Sequence, residues 1–338
     1  VQLAPGAITD IAGIRVGHAA VAGRPSGCTV VLCERGLVCG VAVRGGAPGT
    51  RETDLLRPDN TVERVHAVLL TGGSAFGLDA AAGVMRWLDD HDHGLAVGPA
   101  RPDGRGPVRV PIVPSAVLFD LWLGDPALRP DAATGHAACV AARAEAPAQG
   151  NHGAGLGATV GKLWGIGRAM KGGIGTASVR AHGLTVAALV AVNAIGDVVD
   201  ADGTVIAGAR SADGTRLARS TAALLADPLP PRLAAAAAGS ATTIGVVATD
   251  ATLTKAQASQ LAGLAHHGLS RSVDPITPHD GDTLFVLAAG RAAAPLGDLT
   301  LAGVLAAEAV ARAVRNGVRA AQALADPVLP AASDQAGR

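Results

Sequence analysis

Asp280 and Asp282 stand two residues apart in the run Thr277-Pro278-His279-Asp280-Gly281-Asp282-Thr283, directly before the apolar residues Leu284 to Leu287. In an extended segment, residues i and i+2 face the same side. Two carboxylates so placed can bind a cation, share a proton, or orient a nucleophile and an ammonium group; a solvated polar turn has the same composition. Asp274 is the only other acid nearby in sequence, which disfavours the cation. A second segment, Ser240-Ala241-Thr242-Thr243, opens the apolar run from Ile244 to Ala248 with two hydroxyl residues. Chain cleavage before Thr242 would create an amino terminus on a rigid strand. A free α-amine, with a pKa of about 7.7–8.0, can accept the proton of its own residue's hydroxyl without a histidine. The plainer alternative is a strand edge carrying exposed threonines.

Other chemistry-bearing patterns fail on inspection. Gly153, Gly155 and Ala158 match a dinucleotide fingerprint, but no strand pattern precedes them and no helix pattern follows. Gly161-Lys162 lacks the glycine and the hydroxyl residue that a phosphate loop requires around it. Gly72-Gly73-Ser74-Ala75-Phe76 has Phe76 where a nucleophile elbow needs glycine, so Ser74 is expected to cap a helix instead. The histidines show no metal-binding spacing, and no metal or organic cofactor is expected. Cys28, Cys33, Cys39 and Cys139 lie in apolar surroundings and read as buried thiols.

The elements that must position these residues are strands mixed with helices. In 338 residues, 28 basic side chains balance 28 acidic ones, so no basic field exists to attract nucleic acid, and the expected partner is a small molecule. No stretch approaches the ~18 apolar residues of a membrane span, and a cytoplasmic location is expected. Strand-like runs recur at 29–32, 38–43, 65–70, 184–192, 198–200, 244–248 and 283–287, some separated only by a glycine turn, as at Gly36 and Gly196. Helical patterns cover about 74–90, with Phe76, Ala80, Val84 and Leu88 as an apolar stripe, then 131–145, 254–270 and 299–324. Such imperfect alternation favours stacked mixed sheets covered by helices over a doubly wound sheet. Segment 201–241, with Pro228, Pro230, Pro231 and an alanine-rich stretch, reads as an exposed linker.

Taken together, ordered blocks over nearly the whole chain carry a resemblance. They are TDIAGIRVGHA at 9–19, GCTVVL at 27–32, RGGAPGTRETDLL at 44–56, HAVLLTGGSAFGLDAAAGV at 66–84, VPIVPSAVLFDL at 110–121, GAGLGATVGK at 153–162, KGGIGTAS at 171–178, TTIGVVATDA at 242–251 and HDGDTLF at 279–285. The chain resembles the P1 family of self-processing amino-terminal-nucleophile hydrolases, which includes DmpA-like aminopeptidases, β-peptidyl aminopeptidases and nylon-oligomer hydrolases. The resemblance implies an α/β fold, a four-layer αββα sandwich, as a single hydrolase domain over 1–338. It implies a precursor cut into a large chain, 1–241, and a small chain, 242–338, assembled as a homotetramer. It matches Thr242 to the nucleophile, Asn193 to an asparagine that polarises the scissile carbonyl, Asp280 and Asp282 to the acidic or hydroxyl pair beside the nucleophile, and Lys162 to a lysine of the nylon-oligomer branch. The implied activity is hydrolysis of small peptides or linear amides such as nylon oligomers. Ala241 departs from the asparagine or glycine usual before the nucleophile, which predicts slow self-cleavage and leaves a non-catalytic binding or assembly protein as the rival reading.

Overall fold

The computed structural model describes residues 6–102, 104, 106–226, 241–292 and 296–335. Eight strands matter for the site: β1 (Arg15–Ala20), β2 (Gly27–Val43), β3 (Arg64–Thr71), β4 (Ser115–Val117), β5 (Gly173–Ala181), β6 (Leu184–Val192), β7 (Ile244–Thr249) and β8 (Thr283–Ala288). Among the described residues the α-helices are α1 (Ala80–Asp90), α2 (Ala132–Val140), α3 (Ser220–Ala226), α4 (Lys255–Ser270) and α5 (Thr300–Arg319). The strands hydrogen-bond in the order β5-β6-β7-β8-β2-β3-β4, followed by the short strand Thr50–Arg51, with β1 on β2. The β7/β8 and β3/β4 pairs are parallel.

The long strand β2 links the two halves of this one folded sheet. Its first half, Cys28 to Leu32, pairs with β3, and its second half, Val38 to Val43, pairs with β8. The register shifts between Leu32 and Leu37, around Gly36 at φ +76°, a backbone region open to glycine without strain. The turn expected at Gly36 is therefore a kink inside one continuous strand.

Side chains on the two faces sort into layers. Val31, Val68, Leu189, Ile244, Val246 and Phe285 meet between the two halves of the sheet. On one outer face Val186, Val190, Val247 and Val286 pack beneath α4 and α5, and on the other Val30, Leu32 and Leu69 pack beneath α1 and α2. The result is the helix–sheet–sheet–helix sandwich that the resemblance implies, since a sheet with two apolar faces needs cover on both.

Several local expectations need correction. Ser74 does not cap a helix: it lies inside a 3₁₀ turn, Ser74–Asp79, at φ 54°, and α1 begins only at Ala80. Phe76 leaves the apolar stripe and is 58% exposed, with the Arg129 guanidinium 3.9 Å above its ring. Segment 201–226 is not a bare linker. A strand at Val205–Ala207 and α3 lie within it, and buried Asp197 ties them down by accepting the Ala209 N–H, the Ser220 N–H and the Ser220 hydroxyl. The remainder of the expected linker, 227–240, lies outside the described residues. All four cysteines are buried free thiols, and burial raises their pKa values, to about 12 for Cys33 and Cys139.

Candidate active site

Sheet topology brings three distant segments to one point. Strands β7 and β8 are parallel and begin level, Ile244 opposite Thr283, so the residues just before each start lie together. The pairing continues one step outward as a bridge between Ala241 and Asp280. Strand β6 runs antiparallel to β7, with Ala191 opposite Ile244, so its exit at Asn193 reaches the same end. The loop after the Thr159–Val160 strand joins them, because the N–H groups of Gly161 and Lys162 donate to the carbonyls of Gly196 and Ile195. Ala241, Thr242, Asn193, Lys162, Asp280 and Asp282 are all buried, none more than 5% exposed.

Within this cluster Thr242 faces its own preceding carbonyl. Its hydroxyl donates to the Ala241 carbonyl oxygen at 2.5 Å, and the Gly281 N–H donates to the same oxygen at 3.0 Å. Gly281 admits no side chain here: a Cβ would lie 2.8 Å from Thr242 Oγ1 and 2.4 Å from the Ala47 carbonyl oxygen. The Thr242 N–H donates to the Asn193 carbonyl at 2.8 Å. Asp282 accepts the Thr243 N–H at 2.7 Å. Asp280 accepts the Ile195 N–H with one oxygen, and the N–H and hydroxyl of Thr277 with the other. Asp282 thus holds the backbone just after the junction, while Asp280 ties the β6 exit to the loop at Thr277. The Thr243 hydroxyl is buried without a hydrogen-bond partner among the described residues.

Lys162 Nζ donates to the Asn193 carbonyl at 3.2 Å and to Asn193 Oδ1 at 2.8 Å. Asn193 Oδ1 also accepts the N–H and hydroxyl of Thr159, which directs its amide nitrogen to the Phe119 carbonyl, 3.0 Å away. Burial pulls the Lys162 ammonium down to about 7 against the opposing pull of Asp280, Asp282 and Asp120. Burial, and then Asp280, push the Asp282 carboxyl well above the usual carboxylate range, while the Thr243 N–H and Lys162 work the other way. Among the described residues, no group of three or more histidine, cysteine, aspartate or glutamate side chains is arranged to hold a metal ion.

Three contributors escaped the sequence reading. Gly281 works through its backbone, so its side-chain type carries no chemical signal. Thr159 and Phe119 orient Asn193 through bonds that become readable only once the β6 exit meets the 159–162 loop. Behind Phe119, Asp120 forms a fully buried ion pair with Arg24 at 2.7 Å and accepts the Gly73 N–H and the Ser26 hydroxyl.

A family model described as Peptidase family S58 matches residues 6–327. The chain belongs to that family. This agrees with the resemblance carried by the sequence blocks, and it makes the chain a hydrolase of the aminopeptidase and amide-hydrolase kind. An uncharacterised aminopeptidase of Mycobacterium leprae is 43% identical, over 94% of this chain and 91% of its own length. The 6-aminohexanoate-oligomer endohydrolase of Paenarthrobacter ureafaciens is 32% identical, over 82% of this chain and 73% of its own. Among solved structures, a Burkholderia β-aminopeptidase superposes with a TM-score of 0.70 at 23% identity, covering 99% of this chain and 94% of that one. The L-aminopeptidase D-Ala-esterase/amidase of Ochrobactrum anthropi, described as a variant of the Ntn hydrolase fold, gives 0.69 at 21%, covering 100% and 97%. At those identities the two structures speak for the fold. Among the described residues no helix is long and apolar enough to cross a membrane.

Proposed function

We propose that this chain is a self-processing amide hydrolase whose nucleophile is Thr242, freed as an amino terminus by cleavage after Ala241. The observation that carries the reading is the junction: the Thr242 hydroxyl lies on the Ala241 carbonyl, which already has a second donor in the Gly281 N–H. In the first reaction Thr242 Oγ adds to that carbonyl carbon and gives up its proton, the bond to the Thr242 nitrogen breaks as that nitrogen takes up the proton to become a free amine, and the resulting ester is opened by water. In the second, the liberated α-amine takes the hydroxyl proton as Oγ attacks a substrate amide, and returns it to the leaving amine; water then releases the acyl group.

The other residues divide the remaining work. The Asn193 carbonyl, which receives the Thr242 N–H, would hold the new amine, while Asp282 fixes the next peptide through the Thr243 N–H. Lys162 and Asp282, both with pKa values drawn toward neutrality by burial, flank the amine and hydroxyl between which the proton passes, through the Asn193 carbonyl and the Thr243 N–H. A donor on the developing oxyanion is worth ~10²–10³ in rate, and the Gly281 N–H is already in place for it. The oxyanion role that the resemblance gives to Asn193 requires its amide to exchange the Phe119 carbonyl for the substrate.

Small peptides and linear amides, including nylon-type oligomers, are the proposed substrates, supported by the names of the relatives. A cytoplasmic homotetramer of paired 1–241 and 242–338 chains, needing no metal or cofactor, completes the reading. Mass spectrometry of the purified protein tests it: a chain beginning at Thr242, with amide turnover that persists in EDTA, is expected. A homogeneous uncut chain without turnover would favour the non-catalytic alternative.

A further inference from the structure

The ester formed during self-cleavage and the ester formed with a substrate are the same chemical species: an acyl group on Thr242 Oγ beside a free α-amine. In the first, the acyl group is residue 241. Its surroundings in the uncut chain therefore outline the site for the substrate's acyl residue, an inference that rests on the Thr242 reading above. Ala241 is completely buried, packed with Leu163 and Ile195, while Trp164 and Leu224 close over the cluster. Its carbonyl oxygen is held by the Gly281 N–H. The chain contains three tryptophans, three phenylalanines and no tyrosine, so an indole two residues from Lys162 is a substantial share of its aromatic surface. The Arg168 guanidinium stacks 4.1 Å from the Trp164 ring centre and braces it from one side.

We infer that Leu163, Trp164, Ile195 and Leu224 form the acyl subsite, and that the enzyme prefers amides whose acyl residue is apolar. A charged acyl side chain would lose its water against these four residues without gaining a partner. A methyl group fills the space in the uncut chain. Larger aliphatic groups can be accommodated by displacing Trp164 and Leu224, which are only partly buried, more readily than Leu163 and Ile195.

The test uses protein shown by mass to be cut between 241 and 242, assayed with p-nitroanilides of alanine, leucine, aspartate and lysine. The expected result is a kcat/KM at least about tenfold higher for alanyl and leucyl than for aspartyl and lysyl substrates, the scale that a few buried methylenes produce. Trp164→Ala, with Leu224→Ala as a second variant should the first fail to fold, should shift the leucyl-to-alanyl ratio several-fold. Equal turnover of charged and apolar substrates, or ratios unmoved in a folded variant, would overturn the subsite while leaving the nucleophile standing. Cut protein that hydrolyses none of the four overturns both.

Discussion

Lys162 Nζ and the Thr242 N–H share one acceptor, the carbonyl oxygen of Asn193, at 3.2 Å and 2.8 Å. The nitrogen that becomes the proposed catalytic amine is thus linked through a single oxygen to a buried lysine whose pKa is lowered to about 7.

That lysine gives a prediction for stability. Unfolded, Lys162 keeps its proton to above pH 10, whereas folded it releases the proton near 7, so between these values the unfolded state binds more protons and stability rises with pH. Lys162→Met removes this dependence. The melting temperature of the variant minus that of the unaltered protein should therefore fall steadily from pH 7 to 10, in thermal scans at matched ionic strength. A constant difference would show that the lysine is charged throughout.

Thr242→Ala should yield a folded single chain with no amide turnover, since the side chain it loses is small and its hydroxyl has the Ala241 carbonyl as partner. Thr242→Ser should retain both cleavage and some activity. An aminoacyl p-nitroanilide assay with intact-mass analysis reads both, and turnover by the alanine variant would remove Thr242 from the mechanism.

Asn193→Ala and Asp282→Asn act on groups that matter as charge develops, so each should lower kcat by about 10²-fold or more while KM changes little. A change confined to KM would make them binding residues. Because burial raises the Asp282 pKa, the acidic limb of the kcat profile should also move when the carboxyl becomes an amide.

Self-cleavage of the unaltered protein should be slow, leaving much of it as a single chain near 33.2 kDa. Alanine at position 241 lacks glycine's backbone freedom, and its side chain packs against the apolar Leu163 and Ile195. Ala241→Gly is accordingly the substitution expected to raise the cleaved fraction, followed by denaturing gel over time. Complete conversion of the unaltered protein would show that position 241 is not limiting.

Much of this was legible beforehand where side chains advertise their surroundings. The run Leu184–Val192 is wholly buried and β-branched or aliphatic, and it forms strand β6 as read. Strand β5, GIGTASVRA, was not recognised because it is built from small residues. Helix α5 lies directly on it, and a Cβ on Gly175 would sit 2.2 Å from the Ala313 carbonyl and the Gly317 nitrogen. Its composition records close backbone approach, not strand propensity. At the site, the Asp280/Asp282 pair and the Thr242 segment stood out by type and spacing, but neither points to the other in sequence. Only the parallel, level pairing of β7 and β8 makes them neighbours.

That same pairing decides what becomes of a chain cut after Ala241. Strand β7 would belong to one product and remain zipped along its length to β6 of the other, while β8 joins β2 across the second seam. The fragments would be interlocked strand by strand, and each would carry half of the chemistry: Asn193 and Lys162 on one, Thr242 and the aspartates on the other. Refolding from denaturant would then become a bimolecular event, with recovery that rises with protein concentration, whereas the uncut precursor would refold at a rate independent of it. Maturation would turn a reversible folder into one that must find its lost half.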